Sequence, residues 1–168
     1  THLSKDSGLK GITECFVDRR DVEENKSTND LCRLAIDTEV HNVKKYIGAY
    51  MAELGHVDAI IFTAGVGEND EFLREKFCTG LEELGIKLDL EKNAAALARK
   101  GVDSAVISTD DSRVKILMVA TNEELVIVED TLAIMNGTYN PNHLEMDYSF
   151  LFHLSLCILY LLVEQLEK

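Results

Sequence analysis

The chain has 168 residues, 46% of them hydrophobic, which suits one globular domain or a large part of one. Thirty acidic residues against 17 basic ones give a formal net charge of −13, which argues against nucleic acid or an anionic membrane as the main partner. The four cysteines are widely spaced and form no C-x-x-C motif, so free thiols in a cytoplasmic, reducing compartment are expected. Because the first residue is Thr1 rather than Met, we expect a fragment of a longer protein.

The first third of the chain predicts a charged turn followed by a long helix. Asp18 and Arg20 end a turn-rich opening segment. They are either a solvated salt bridge, which is the default expectation, or a strand-end pair that meets a ligand. Apolar residues then recur in steps of four and three over residues 36–54, which predicts one buried helix face. Gly55 is placed as the C-terminal cap of that helix.

Residues 57–69 predict a buried strand, a tight glycine turn and the start of a helix. The strand is expected over residues 59–62. Gly65 and Gly67 are expected to allow positive φ and a close approach to another group, and Asn69 is predicted to cap the next helix. Such a strand end can seat a nucleotide, because its free N–H groups face outward. A strand-to-helix turn without a ligand has about equal support from the local sequence.

Two common glycine loops are excluded for this turn. Asp70 stands where a dinucleotide fingerprint requires a small residue, and the chain has no Gly-Lys-Ser/Thr triplet of a P-loop. A nucleotide at this turn would therefore be contacted at its base and sugar rather than at its phosphates.

The middle of the chain continues as alternating helices and strands. We predict, in order, a helix with an apolar stripe from Leu73 to Leu84, a short strand at 86–88, an alanine-rich helix over 91–99, extended chain at 105–108, a turn at 109–112 and a strand at 114–119. This alternation predicts the α/β class. Thr121 and Glu124 form a predicted capping box, which leaves Glu123 either facing solvent, the favoured alternative, or holding a divalent cation through water.

The sequence changes character from about residue 134. Asn136, Gly137 and Pro141 interrupt the pattern. Residues 150–163 are then apolar, but 14 residues are short of the roughly 20 that span a bilayer, so no membrane association is expected. We predict a helix that packs on the domain or on a second chain; non-native sequence from a shifted reading frame is the alternative.

Polar residues at three predicted strand ends are the best indication of a site, since ligands of open α/β sheets collect at carboxyl ends of strands. No Ser-His-Asp or Cys-His pattern stands out. The three places are Asp18 with Arg20, residues 65–69, and Asn122 with Glu123. The residues alone predict a binding domain for a phosphorylated small molecule.

Several segments together resemble the acetate kinase family, in its order and spacing. They include Ser7–Thr13, Asp18–Asp21, Lys44–Tyr50, Asp58–Asn69, Ile107–Ser112 and Thr121–Leu125. The likeness covers about residues 4–133. It implies the C-terminal portion of a family member, with a partial actin-like ATPase (ribonuclease H-like) domain at 1–133 and an atypical tail at 134–168.

The resemblance implies ATP or ADP, Mg²⁺, a short-chain carboxylate such as acetate, the upstream half of the same enzyme, and a homodimer. It places an adenosine-side set of eight residues: Asp18, Arg19, Arg20, Gly65, Val66, Gly67, Asn69 and Leu73. Within this set, Leu73 corresponds to an apolar wall of the pocket. Glu123 corresponds to the glutamate that helps to hold magnesium.

The sequence also departs from the family pattern. Arg19 replaces an apolar residue, which would make the pocket more polar; Glu14 replaces a usual Gly, so a different backbone conformation is expected there; and Ala120 replaces a usual Pro. The carboxylate pocket and the catalytic groups of the family lie upstream and have no counterpart here, so phosphoryl transfer by this chain alone is not expected. A non-catalytic nucleotide-binding or assembly module, and a propionate or butyrate kinase fragment, are the alternatives.

Overall fold

A computed structural model of the chain describes residues 6–121 and 123–140, and of Glu123 it describes the backbone. The fold is α/β, as predicted, but its helices and strands do not alternate strictly, since three helices precede the first strand and the last two strands are consecutive. The helices are α1 (Gly8–Thr13), α2 (Arg19–Asn25), α3 (Asp30–Leu54), α4 (Ala64–Asn69), α5 (Glu71–Cys78), α6 (Leu90–Ala95) and α7 (Glu123–Met135). The strands are β1 (Ala59–Phe62), β2 (Ser104–Val106) and β3 (Lys115–Val119), and short 3₁₀ turns lie at Glu82–Leu84 and Ala98–Lys100.

The three strands form one mixed sheet in the order β1-β3-β2. β1 pairs with β3 in parallel, with Ala59 opposite Lys115, and β2 pairs with β3 in antiparallel fashion. The strand predicted at 86–88 is present only as two isolated bridges. Because β1 and β3 are parallel, the turns that follow them lie at the same edge of the sheet.

The core lies between the sheet and helices α3 and α5. The predicted stripe of α3 buries Ile36, Val43 and Ile47, and Gly55 caps the helix at φ 68° as predicted. The rings of Phe62 on β1 and Phe77 on α5 stack with their centroids 6.1 Å apart. These residues belong to one buried apolar cluster, which also contains the inward side chains of β3.

Two predicted helices are shorter than expected. The stripe from Leu73 to Leu84 is helical only to Cys78, because Gly80 takes a left-handed φ of 80° and breaks the helix. The alanine-rich helix ends at Ala95 and resumes as a 3₁₀ turn. Within the first stripe Leu73 and Phe77 are buried, whereas Leu84, beyond the break, is 40% exposed. Burial in the second segment continues across its break at Ala96 and Leu97.

The backbone of the glycine turn differs from the prediction. Neither Gly65 nor Gly67 has a positive φ; Ala64 has, at 58°. The close approach is confirmed at Gly67, where an added Cβ would lie 3.0 Å from the carbonyl carbon of Phe62. The N-cap of α5 is Asp70, whose carboxylate accepts the Leu73 N–H at 2.8 Å. The prediction for Asn69 was therefore wrong by one residue.

Glu14 has a left-handed backbone conformation, which favours glycine. Its φ is 66°, in the left-handed region, and its N–H donates to the carbonyl of Lys10 at the end of α1. The described part of the chain, residues 6–121 and 123–140, has no helix long and apolar enough to cross a membrane.

Candidate nucleotide-binding site

An open cleft of about 950 Å³ lies next to the start of α4, directly after β1. Its walls come from α1, α2, α4, α5 and the 3₁₀ turn at Ala98–Lys100. Six of the eight residues predicted on the adenosine side line it: Asp18, Arg19, Arg20, Gly65, Val66 and Asn69. Segments separated by more than 40 residues in sequence are thus brought to one surface.

The other two predicted residues lie behind the cleft wall. Leu73 is fully buried in the core, with 0% exposure, and Gly67 is buried against the backbone of Phe62. Phe72, the neighbour of Leu73, lines the cleft. The placement of Leu73 as an apolar wall is therefore corrected, because α5 turns that side chain inward.

Asp18 and Arg20 form a solvated ion pair on the rim of the cleft. The Arg20 guanidinium donates to both carboxylate oxygens of Asp18, at 3.1 and 2.6 Å, and the Arg20 side chain is 86% exposed. Asp18 also caps α2 by accepting the Arg20 N–H at 2.8 Å. The hydrogen bonds from Arg20 lower the pKa of Asp18 to about 2. The pair is thus a solvated salt bridge, the default expectation; it lies at the start of α2 rather than at a strand end, and its contact with a ligand stays a prediction.

Arg19 joins three elements at the base of the cleft. Its guanidinium contacts Glu23 at 3.0 Å on its own helix, Glu39 at 3.2 Å on α3 and Asp70 at 2.9 Å, the cap of α5. Burial opposes the charge of Arg19, but the carboxylates outweigh it and raise the pKa of Arg19. Burial also raises the pKa of Glu39, which Arg19 only partly offsets. Lys26 also pairs with Glu23, at 3.2 Å, so two cations face three carboxylates in this group.

Arg99 supplies part of the cleft wall that the sequence did not predict. Its N–H donates to the Asn69 side-chain oxygen at 2.8 Å, and its guanidinium hydrogen-bonds the Asn69 carbonyl. The guanidinium also lies 3.4 Å from Glu71. Thirty residues separate Arg99 from Asn69, and no local pattern in the sequence connects them. Asn69 is thus held in place by Arg99 instead of capping α5.

A hydrogen-bonded link joins the glycine turn to the start of α7. The carboxylate of Glu68, only 7% exposed, accepts from both the N–H and the hydroxyl of Thr121, each at 2.6 Å. Glu124 is exposed, so the predicted capping box is wrong: Glu68 binds the Thr121 N–H that Glu124 was expected to bind. The parallel pairing of β1 and β3 is what brings Glu68 and Thr121 together.

Arg74 holds the turn from behind. Its fully buried guanidinium donates to the Gly67 carbonyl at 2.7 Å, to the Ala96 carbonyl at 2.7 Å, and to the side-chain and main-chain oxygens of Asn93 at 2.7 and 2.9 Å. Burial lowers the pKa of Arg74, opposed by the nearby Glu71 carboxylate. The sequence did not predict this role of Arg74, because hydrophobic periodicity assigns a charged residue in a helix to the exposed face.

The predicted metal residue lies at the same edge of the sheet. Glu123 is the first residue of α7, whereas its side chain and the whole of Asn122 are outside the described residues. Among the residues that the structure does describe, no group of three or more His, Cys, Asp or Glu side chains is arranged to hold a metal ion.

Comparison with known proteins assigns the family. The model of the acetokinase family matches residues 1–129, and the chain belongs to that family. Its neighbours among solved structures place it in the actin-like ATPase fold class, as predicted, and it covers only about a third of them.

The similar proteins are carboxylate kinases. The chain is 52% identical over 149 residues to the acetate kinase of Trichlorobacter lovleyi, covering 88% of this chain and 35% of that protein. With the acetate kinase of Treponema pallidum it shares 53% identity over 152 residues, 89% of this chain and 33% of that protein. The chain thus spans about a third of the length of the curated relatives it matches. Because 88% of the chain cannot fit within its first 133 residues, the similarity continues into the segment that was expected to be unlike the family.

Two solved structures have a similar backbone over most of this chain. The acetate kinase of Porphyromonas gingivalis superposes with a TM-score of 0.67 at 39% identity, over 78% of this chain and 32% of that one. A propionate kinase from Francisella tularensis superposes with a TM-score of 0.63 at 35% identity, over 74% of this chain and 30% of that one.

Proposed function

We propose that the chain is the C-terminal, nucleotide-side portion of an acetate kinase and that its cleft holds the adenosine of ATP or ADP. One observation supports this most directly: six residues expected on the adenosine side from the family pattern line a single cleft. The volume of about 950 Å³ is at the upper end of small-molecule sites. A boundary at residue 133, with a separate tail at 134–168, stays a prediction, and the similarity to an acetate kinase continues some way beyond that residue.

The charges on the rim favour base and sugar over phosphate. Lys10 is paired with Asp6 at 2.6 Å, Arg20 with Asp18 at 2.6 Å and Arg99 with Glu71 at 3.4 Å. A triphosphate site would leave such cations open to the ligand. The cleft is therefore suited to the uncharged end of a nucleotide, in agreement with the absence of a P-loop triplet in the sequence.

The proposal includes Mg²⁺, with Glu123 as the residue of this chain that would help to hold it. The Glu68–Thr121 link holds the start of α7 beside the glycine turn, so a cation near Glu123 would lie at the same sheet edge as the nucleotide. Since the described residues form no cluster of carboxylates for it, the cation would be held by Glu123 together with water and nucleotide phosphate. When bound, it would offset phosphate charge.

The proposed reaction of the whole enzyme is reversible phosphoryl transfer between ATP and acetate. By the same relationship, we propose a cytoplasmic homodimer that includes the upstream half of the enzyme. This chain contributes positioning of the nucleotide, since the family's carboxylate pocket is expected upstream. The similar propionate kinase favours a second candidate substrate, propionate. Acetyl phosphate and propionyl phosphate formation by the gene with its upstream sequence would distinguish the two, and activity with neither would refute the kinase assignment.

The nucleotide site can be tested on the 168-residue chain itself. An added Cβ at Gly65 has no atom within 4 Å, so Gly65→Leu places its side chain in the cleft without a clash. Gly48, on α3, is equally open and does not line the cleft; Gly48→Leu is the matched control. Titration with a fluorescent ADP should show binding to wild type and Gly48→Leu, and at least tenfold weaker binding to Gly65→Leu. Equal binding by both variants, or none by wild type, would contradict the proposed site.

A further inference from the structure

The side-chain amide of Asn69, in the wall of the cleft, has a defined orientation. Its oxygen accepts the main-chain N–H of Arg99 at 2.8 Å. A main-chain N–H can only donate, so this bond fixes which end of the amide is the oxygen. None of the residues that the structure describes accepts a hydrogen bond from the Asn69 amide nitrogen, and this nitrogen is not among the buried polar atoms that lack a partner. The end of the side chain that is left for a ligand is therefore a donor.

Arg99 holds Asn69 through its main chain and its side chain together. Besides the main-chain bond, the Arg99 guanidinium donates to the Asn69 carbonyl and lies 3.4 Å from the Glu71 carboxylate. Hydrogen bonds from one residue thus restrict both the backbone and the side chain of Asn69. The Arg99 side chain is 53% exposed, so these contacts, rather than the filling of the core, are what it contributes.

Both sides of this contact are fixed from behind by Arg74. Its buried guanidinium donates to the carbonyls of Gly67 and Ala96, each at 2.7 Å. Gly67 lies two residues before Asn69, and Ala96 lies three residues before Arg99. The contact between Asn69 and Arg99 is therefore built into the fold. A donor that is already oriented loses little conformational freedom when a ligand binds to it, which favours affinity.

We propose that Arg99 is a positioning residue for the nucleotide. It orients the Asn69 amide so that the amide nitrogen donates a hydrogen bond to an uncharged acceptor of the adenosine, a base nitrogen or a ribose oxygen. This inference rests on the nucleotide site proposed above. A phosphate is the poorer recipient, because Asp70 and Glu71 line the same wall of the cleft and their carboxylates repel it.

A double-mutant cycle on the full 168-residue chain tests whether Arg99 acts through Asn69. Asn69→Ala should weaken the binding of a fluorescent ADP about tenfold and Arg99→Ala about fivefold, as expected for the loss of one hydrogen bond. In the Asn69→Ala background, Arg99→Ala should change the dissociation constant by less than about twofold. Adenosine, measured by displacement of the fluorescent ADP, should lose affinity by the same factors, because the acceptor belongs to the adenosine.

Lys100→Ala is the matched control. It removes the same charge from the next residue of the same turn, which is exposed and does not line the cleft, so it should bind as wild type does. Arg99→Lys is a second variant: it keeps the charge, but one ammonium cannot replace the fork of the guanidinium, so its affinity should lie between those of wild type and Arg99→Ala. An unchanged urea midpoint shows that each variant is folded.

The outcomes separate this inference from the nucleotide site itself. An equal loss on Arg99→Ala in both backgrounds, or a loss with ADP but not with adenosine, would mean that Arg99 acts on the ligand directly and would overturn the proposal. Wild-type affinity in Arg99→Ala would overturn it too, while leaving the nucleotide site in place. Absence of binding by wild type would instead overturn the nucleotide site, and the role of Arg99 with it.

Discussion

Replacing Arg74 by Met should destabilise the domain, because the buried backbone carbonyls that Arg74 hydrogen-bonds would lose their donor. The guanidinium is fully buried and hydrogen-bonds the carbonyls of Gly67, Asn93 and Ala96. Methionine fills similar space but donates nothing, so four acceptor oxygens lose their donor: these three carbonyls and the side-chain oxygen of Asn93. At about 1 kcal/mol or slightly more for each unsatisfied acceptor, the loss is roughly 4 kcal/mol. A part of the loss is returned because the charge no longer has to be buried.

Urea unfolding followed by circular dichroism measures this change. With a slope of about 2 kcal/mol per molar urea, roughly 4 kcal/mol lowers the midpoint by about 2 M. The matched control is Arg33→Met, whose wild-type side chain is 56% exposed and paired only with Asp30 among the contacts described; it should change stability by less than about 0.5 kcal/mol. Arg74→Lys should also destabilise, since one ammonium cannot reach all four acceptors. A midpoint for Arg74→Met within about 0.3 M of wild type would refute this account.

Three further substitutions test other contacts of the site. Gly67→Ala should destabilise the chain by roughly 1–2 kcal/mol in urea unfolding, because its Cβ would lie 3.0 Å from the Phe62 carbonyl carbon. Gly48→Ala, whose Cβ would lie in open space, should leave the stability unchanged. Equal stability of the two variants would contradict the close contact between Gly67 and Phe62. Glu68→Ala should lower the stability by roughly 2 kcal/mol in the same assay, whereas Glu68→Gln keeps an acceptor oxygen for Thr121 and should keep most of the stability. A Glu68→Gln variant less stable than Glu68→Ala would be inconsistent with the hydrogen-bonded link to α7. Asp18→Asn keeps a good N-cap but loses the charge. The pKa of Asp18 is lowered from 3.8 to about 2 in the folded chain. The stabilisation of the fold by the Asp18 carboxylate is therefore present above pH 3.8 and lost as the pH falls through 2. The difference in Tm between wild type and Asp18→Asn should shrink over that interval, and a difference independent of pH would argue against this account.

The sequence predicted where the chain is buried better than where its helices end. The stripe of α3 and the strand at Ala59–Phe62 follow directly from apolar periodicity, and both are confirmed. The stripe from Leu73 correctly predicted burial as far as Phe77, but not the break at Gly80 or the exposure of Leu84, because side-chain period does not report backbone φ.

The site could be predicted as a set of turns but not as a set of contacts. Asp18, Arg20 and the segment around Gly65 were found because polar residues stand at or near turns beside apolar segments. Glu68 and Arg99 were missed, since their partners lie 53 and 30 residues away. Hydrogen bonds of that separation depend on strand pairing, which a single sequence does not specify. The roles of the six cleft residues in nucleotide binding and of Glu123 in metal binding stay predictions.

Two left-handed residues without the freedom of glycine flank the cleft. Glu14 ends α1, whose first residues line one wall, and Ala64 begins α4, which lines another. Each conformation costs about 1 kcal/mol or more in an L-residue. The two non-glycine residues with positive φ in the described chain thus adjoin helices that line the candidate ligand surface. Replacing either residue by glycine would remove this cost and should stabilise the folded chain. The same replacement would make the backbone beside the cleft less rigid, which should weaken the binding of a ligand that requires the present cleft shape.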